Sequence, residues 1–132
     1  MQKLEELLSP YRPQFLSILR IMTALLFLAH GTSKLFGWPA EGFQPPLFSL
    51  FGLAGVLELV GGILLVLGFI TRPVAFILAG EMAVAYFMGH ASQSFFPIVN
   101  QGEAAVMFCF VFLYLVFAGA GVWSIDHQRR AA

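Results

Sequence analysis

The sequence predicts an all-α integral membrane protein, a bundle of four transmembrane helices with both termini on the cytoplasmic side. Three observations predict it. Of 132 residues, 59% are hydrophobic and only 11% charged, with a mean hydropathy of +0.85; a soluble domain has about a quarter charged residues. The apolar residues gather into four runs, at about residues 15–36, 50–70, 73–91 and 103–122. Runs of about 18 or more such residues cross a bilayer as helices. Finally, Lys3, Arg12, Arg72, Arg129 and Arg130 fall on the side of the termini, and Lys34 alone on the other. The positive-inside rule then puts the termini in the cytoplasm.

The chain reads as a single membrane domain over residues 1–132. Its net charge is formally zero, so it offers no basic surface for nucleic acid, and its evident partner is the bilayer. The lone Cys109 excludes an internal disulfide or a self-contained dithiol redox pair. No nucleophile triad, phosphate loop or zinc spacing is present.

Residues 1–14 carry Lys3, Glu5 and Glu6 beside Leu4, Leu7 and Leu8, suited to a short interfacial helix and unlike a cleaved signal peptide. Pro10 and Pro13 are expected to break it. In the first span, Arg20, Thr23, Phe27, His30 and Lys34 step by three, four, three and four, which is one helix face. A face so polar turns away from lipid. The blander reading makes Arg20 and Lys34 interface anchors and His30 a core histidine bonded to a carbonyl. Residues 37–49, rich in Gly and Pro, form the first loop.

The second span holds one charge, Glu58. Gly55, Glu58 and Gly62 share a face, and small residues there let a neighbouring helix approach closely. Gly68 suits a helix C-terminus, Thr71 an N-cap and Pro73 a first turn. The third span holds Glu81. His90 follows nine residues later, on the opposite side of a regular helix, so the two share a site only if the helix ends before His90. Residues 92–101 form a polar loop. The fourth span is uncharged and Phe-rich, which reads as packing and lipid-facing surface. Glu103 at its start is either a helix-terminus acid or a site residue. Residues 126–132 read as a polar tail.

A carboxylate at mid-membrane costs about 2.5–3.5 kcal/mol, so Glu58 and Glu81 need partners. At about 1.5 Å per residue, Arg20 and Glu81 lie roughly 9 and 13 Å from the cytoplasmic ends of their helices, and Glu58 and His30 roughly 18 and 24 Å. The expected pairs are Arg20 with Glu81 and Glu58 with His30. His30, Lys34, His90, Asn100 and Glu103 are expected to form an outer mouth, with Phe27 and Phe87 as walls.

His30-Gly31 followed by Lys34-Leu35-Phe36-Gly37 resembles an element of the DoxX family of membrane proteins. So do Glu58 with Gly61-Gly62, Leu67-Gly68, Thr71-Arg72-Pro73, Gly80-Glu81-Met82-Ala83, Asn100-Gln101-Gly102-Glu103 and Trp123-Ser124-Ile125-Asp126. The ordered set runs from about Arg20 to Asp126. The resemblance implies a multi-pass protein of the bacterial inner membrane. Some members of that family are membrane subunits of quinone-linked oxidoreductases, and others associate with redox or stress-defence proteins. The expected function is therefore a membrane subunit holding a quinone-like or other small redox ligand for a partner oxidoreductase. Arg20, His30, Lys34, Glu58, Glu81, His90, Asn100 and Glu103 are its candidate polar cluster. The alternatives are a small proton or solute transporter, which a homo-oligomer would enlarge, and a non-catalytic assembly or stress-response factor.

Overall fold

The structure, a computed structural model, describes residues 1–42 and 44–131. Phe43 of the first loop and the terminal Ala132 lie outside the described residues. The elements are α1 (Gln2–Leu8), a 3-10 turn (Ser9–Tyr11), α2 (Arg12–Phe36), α3 (Leu50–Leu67), α4 (Thr71–Gly89), α5 (Pro97–Asn100), α6 (Glu103–Ala118) and α7 (Ile125–Ala131). Among the described residues, three helices are long and apolar enough to cross a membrane: Gln2–Phe36, Leu50–Leu67 and Thr71–Gly89. Helix α6 is apolar but shorter.

The prolines do not break the chain as expected. The helical path runs on from Gln2 to Phe36. Pro10 and Pro13 each sit in the first turn of a new element, where the missing N–H has no bond to lose. The path tightens into 3-10 geometry at Ser9–Tyr11 instead of stopping.

Helix α3 ends at Leu67, short of the apolar run's end at 70 but where Gly68 was expected to end it, because Gly68 adopts a left-handed φ of 64° and caps it. The next helix starts at Thr71, with Ile70 rather than Thr71 in the N-cap position, at φ 46°. That is an unfavourable conformation for a β-branched residue. The Asp126 carboxylate holds it by accepting from the N–H groups of Ile70 (2.8 Å) and Thr71 (2.9 Å). The fourth span also stops short, at Ala118 rather than near 122, because Gly119 and Gly121 turn at φ 83° and 80°. The expected polar tail is helical, as α7.

Helix α2 packs most extensively on α3, and α4 on α6; α3 meets α4 over a smaller area. Glycine makes the first of these seams. A Cβ on Gly31 would lie 2.8 Å from the Leu59 nitrogen, one on Gly55 3.1 Å from Lys34, and one on Gly62 3.0 Å from Leu28. The close approach predicted for the face of Gly55 and Gly62 is thus what joins α3 to α2. The core between the pairs holds Ala24, Phe27, Leu65, Leu78, Phe112 and Leu115. Phe27 meets Phe112 edge-on at 4.9 Å between centroids, a favoured aromatic geometry.

The start of α2, the α3–α4 hinge and the segment after α6 meet at one end of the bundle, called here the terminal end. Trp123 N–H donates to Ser17 Oγ (3.0 Å), and Asp126 N–H to the Gly68 carbonyl (2.9 Å).

Candidate functional site

At the opposite, far end, the two helix pairs diverge around a cleft of about 810 Å³. Phe27, His30 and Lys34 line it from α2, Leu53, Leu57 and Glu58 from α3, Ile77, Gly80, Glu81 and Val84 from α4, and Phe108 from α6. The walls are mostly apolar, and the polar groups are few and converge.

Lys34 Nζ donates to Glu58 Oε1 at 2.6 Å. Glu58 is 2% exposed, while the Lys34 side chain stays 32% exposed toward the cleft mouth. The second Glu58 oxygen, Oε2, is buried without a hydrogen-bond partner among the described residues, and so are both oxygens of Glu81. Buried polar atoms in folded proteins nearly always have partners, and leaving one without costs free energy. Three carboxylate oxygens in one cleft are thus able to accept further hydrogen bonds.

His90 also lines the cleft. Helix α4 ends at Gly89, and His90 leaves the helical path at φ −127°. The condition for Glu81 and His90 to share a site is met. The His90 Nδ1 lies 3.0 Å from the Asn100 carbonyl. It must carry the proton to donate there, so Nε2 is an acceptor in the neutral ring.

Other expectations need correcting. Glu58 pairs with Lys34 and not with His30, whose ring instead meets Phe108 edge-on at 5.7 Å. Phe87 is 71% exposed and lies off the cleft; Phe108 takes the place assigned to it. Asn100 is buried but sits behind His90. Its side chain donates to Tyr86 Oη (3.1 Å) and to the Ser94 carbonyl (3.0 Å), and accepts from Gly102 N–H (2.8 Å). Glu103 is exposed in the first turn of α6, outside the cleft, where an acid suits the helix terminus.

Arg20 is the largest correction. It is fully buried, yet it lies at the terminal end and does not meet Glu81. Its guanidinium donates to the carbonyls of Leu65 (2.8 Å), Trp123 (2.7 Å), Val66 (3.4 Å) and Ala120. These lie in the last turn of α3 and in the segment just past α6, where helix carbonyls lack partners and the helix dipoles are negative.

Tyr86 and Asp126 escaped the sequence reading. Tyr86 stacks on His90 at 6.4 Å; its spacing of four from His90, one turn on the same face, was the available signal. Asp126 stood only as the end of the family-like segment Trp123-Ser124-Ile125-Asp126, with no role, because the hinge it caps is more than fifty residues away in sequence. Burial pushes its carboxyl up, but the N–H bonds from Thr71 and Ile70 and the charge of Arg130 outweigh that and hold it below the ordinary carboxylate range.

The DoxX family pattern matches residues 15–91, more than half of the chain, including most of α2, all of α3 and α4 and most of the cleft. This chain belongs to the DoxX family. Similar proteins extend the match across the later segments. An uncharacterized protein of Haemophilus influenzae is 46% identical over 127 residues, covering 92% of this chain and 95% of its own length. Inner membrane protein YphA of Escherichia coli is 29% identical, covering 89% of this chain and 91% of itself. Inner membrane protein YqjF of the same organism is 30% identical, covering 83% and 87%. No solved structure matches. With relatives of that kind and helices able to span, this DoxX-family protein is a multi-pass protein of the bacterial inner membrane.

Proposed function

We propose that this DoxX-family protein binds a quinone-class molecule in its far-end cleft, for use by a partner oxidoreductase. One observation carries the reading: apolar walls enclose three carboxylate oxygens without partners. Small-ligand sites between bundle helices have this make-up, mostly apolar with a few convergent polar groups. A quinone-class ring presents carbonyl oxygens when oxidised and hydroxyls when reduced. The hydroxyls of the reduced form donate to Glu58 and Glu81. The carbonyls of the oxidised form accept from Lys34, which keeps N–H donors beyond the one given to Glu58, or from the His30 ring. Oxidation of the bound quinol releases both hydroxyl protons to nearby bases, with Glu81 and His30 as the candidates, and passes both electrons to the partner.

The test is purification in mild detergent, with bound quinone extracted and identified by mass spectrometry. His30→Ala is expected to abolish bound quinone while the protein stays folded and inserted. Wild-type protein that never binds quinone, in either redox state and with its membrane partners present, would falsify the reading. A purely structural role predicts instead that His30→Ala lowers stability and changes no ligand.

In this reading both termini face the cytoplasm and the cleft mouth faces the periplasm, in keeping with the cation asymmetry. In a Cys109→Ala background, cysteines replacing Glu41 and Ser94 are expected to label from outside intact cells, and one replacing Arg129 is not. Outside labelling at position 129 reverses the topology.

A further inference from the structure

We infer that the cleft is entered sideways from the bilayer, through the gap between α3 and α4, and that its ligand carries an apolar chain that stays in that gap. The inference rests on the ligand reading above and adds the class of ligand: a tailed amphiphile rather than a small water-soluble molecule.

The helix seams differ in a way that points there. The α2–α3 seam is sealed by backbone-close contacts at Gly31, Gly55 and Gly62, and α4 packs extensively on α6. The α3–α4 seam is joined at its hinge and pinned where a Cβ on Gly61 would lie 2.9 Å from the Leu78 side chain. Beyond that point α3 and α4 no longer seal. Leu53 and Leu57 on one side are 53% and 37% exposed, and Ile77 and Val84 on the other are 54% and 55% exposed, yet all four line the cleft. Gly80 lies between them and one residue from Glu81. A Cβ placed on it meets nothing within 4 Å. The gap is thus continuous with the site and opens on the lipid-facing side, at the level of the unpartnered carboxylates.

Chemistry selects the occupant. The polar floor calls for a head with hydrogen-bond donors, and the walls up to the gap call for hydrocarbon. A cleft of about 810 Å³ is at the upper end of the roughly 300–1,000 Å³ usual for small-molecule sites, which leaves room beside a single ring. A chain lying in the gap exchanges lipid tails for Leu, Ile and Val side chains, which are equally apolar. A tailed ligand therefore reaches Glu81 without drawing its chain through water, which approach from the far-end mouth would require.

Gly80 supplies the test. A Cβ at position 80 has open space around it, so Gly80→Phe sends a ring into the gap, and in a helix interior most side chains are favoured over glycine. Binding of a decyl-tailed benzoquinol and of the same ring without its tail, both held reduced, is measured on purified protein in lipid nanodiscs, with thermal unfolding as the folding control. Gly80→Phe is expected to weaken the tailed probe at least tenfold more than the tail-less ring. Val84→Trp, on the rim of the same gap, is expected to act likewise, and Gly80→Ala to separate the two probes by less than about twofold. Equal loss of both probes, or loss of neither, overturns the lateral route while the ligand reading stands. Wild-type protein that binds neither probe overturns both. If Gly80→Phe fails to fold, Val84→Trp decides alone by the same criteria.

Discussion

The two ends of this bundle each bury charge, and they treat it in opposite ways. At the terminal end Arg20 is enclosed by carbonyls of Leu65, Val66, Ala120 and Trp123, and Asp126 caps the backbone of the α3–α4 hinge. Ser17 is fully buried and bonded to the same segment. At the far end Lys34 and Glu58 satisfy each other in part, and three carboxylate oxygens have no partner among the described residues, where the terminal end leaves the neutral Gln14 Oε1 and Thr71 Oγ1 so. Satisfied buried charge makes one arrangement rigid, whereas unsatisfied buried charge is tolerated where something else is meant to bind. The terminal end is therefore the clamp of the bundle, and the far end is where the proposed ligand would bind.

If that contrast holds, the largest effect on stability belongs to Arg20. Arg20→Met removes the one cation that four carbonyls share. The expected loss is on the order of 3–5 kcal/mol, because hydrogen bonds from charged donors contribute about 1.5–3 kcal/mol each and do not sum fully. Thermal unfolding in detergent measures it. The same assay on Arg20→Met with Glu81→Gln should show no coupling, since the two residues lie at opposite ends; a coupling above about 0.5 kcal/mol would restore the ion pair between them.

A smaller effect belongs to Lys34. Lys34→Met leaves Glu58 buried without its counter-charge, at an expected cost of about 1–3 kcal/mol, below the fully buried case because Lys34 is partly exposed. Adding Glu58→Gln should recover most of the loss. Failure of the double variant to recover would mean that the pair is not the contact that matters.

The smallest effect belongs to Asp126 and depends on pH. Its carboxyl titrates below the ordinary range when folded. The stability it contributes is therefore present above the unfolded value of about 3.9 and lost as pH falls through the lower folded value. Asp126→Asn should cost about 0.5–2 kcal/mol, the usual worth of a cap. The difference from wild type should be full near about pH 6 and fade below about pH 4. A difference that grows on acidification would contradict the capping role.

The sequence by itself determined the membrane class, the apolar helices, the close-packing glycine face of α3 and the inward stripe of α2. Each of these depends on spacing within one helix, and helical periodicity converts spacing into a face without reference to anything distant. It also brought His30, Lys34, Glu58, Glu81 and His90 into one candidate set, and the structure gathers all five around the cleft. The partner of each charge was decided only by tertiary structure. Depth along separate helices paired Arg20 with Glu81 and Glu58 with His30, because carboxylates are the obvious partners for cations. Arg20 instead takes helix-end carbonyls, a negative partner that every sequence contains and none displays; Gly68, Gly119 and Gly121 end or turn the chain where those carbonyls gather. Glu58 takes Lys34 because the close α2–α3 seam sets which turns face each other. That register is a property of two packed surfaces, and no periodicity along one chain segment encodes it.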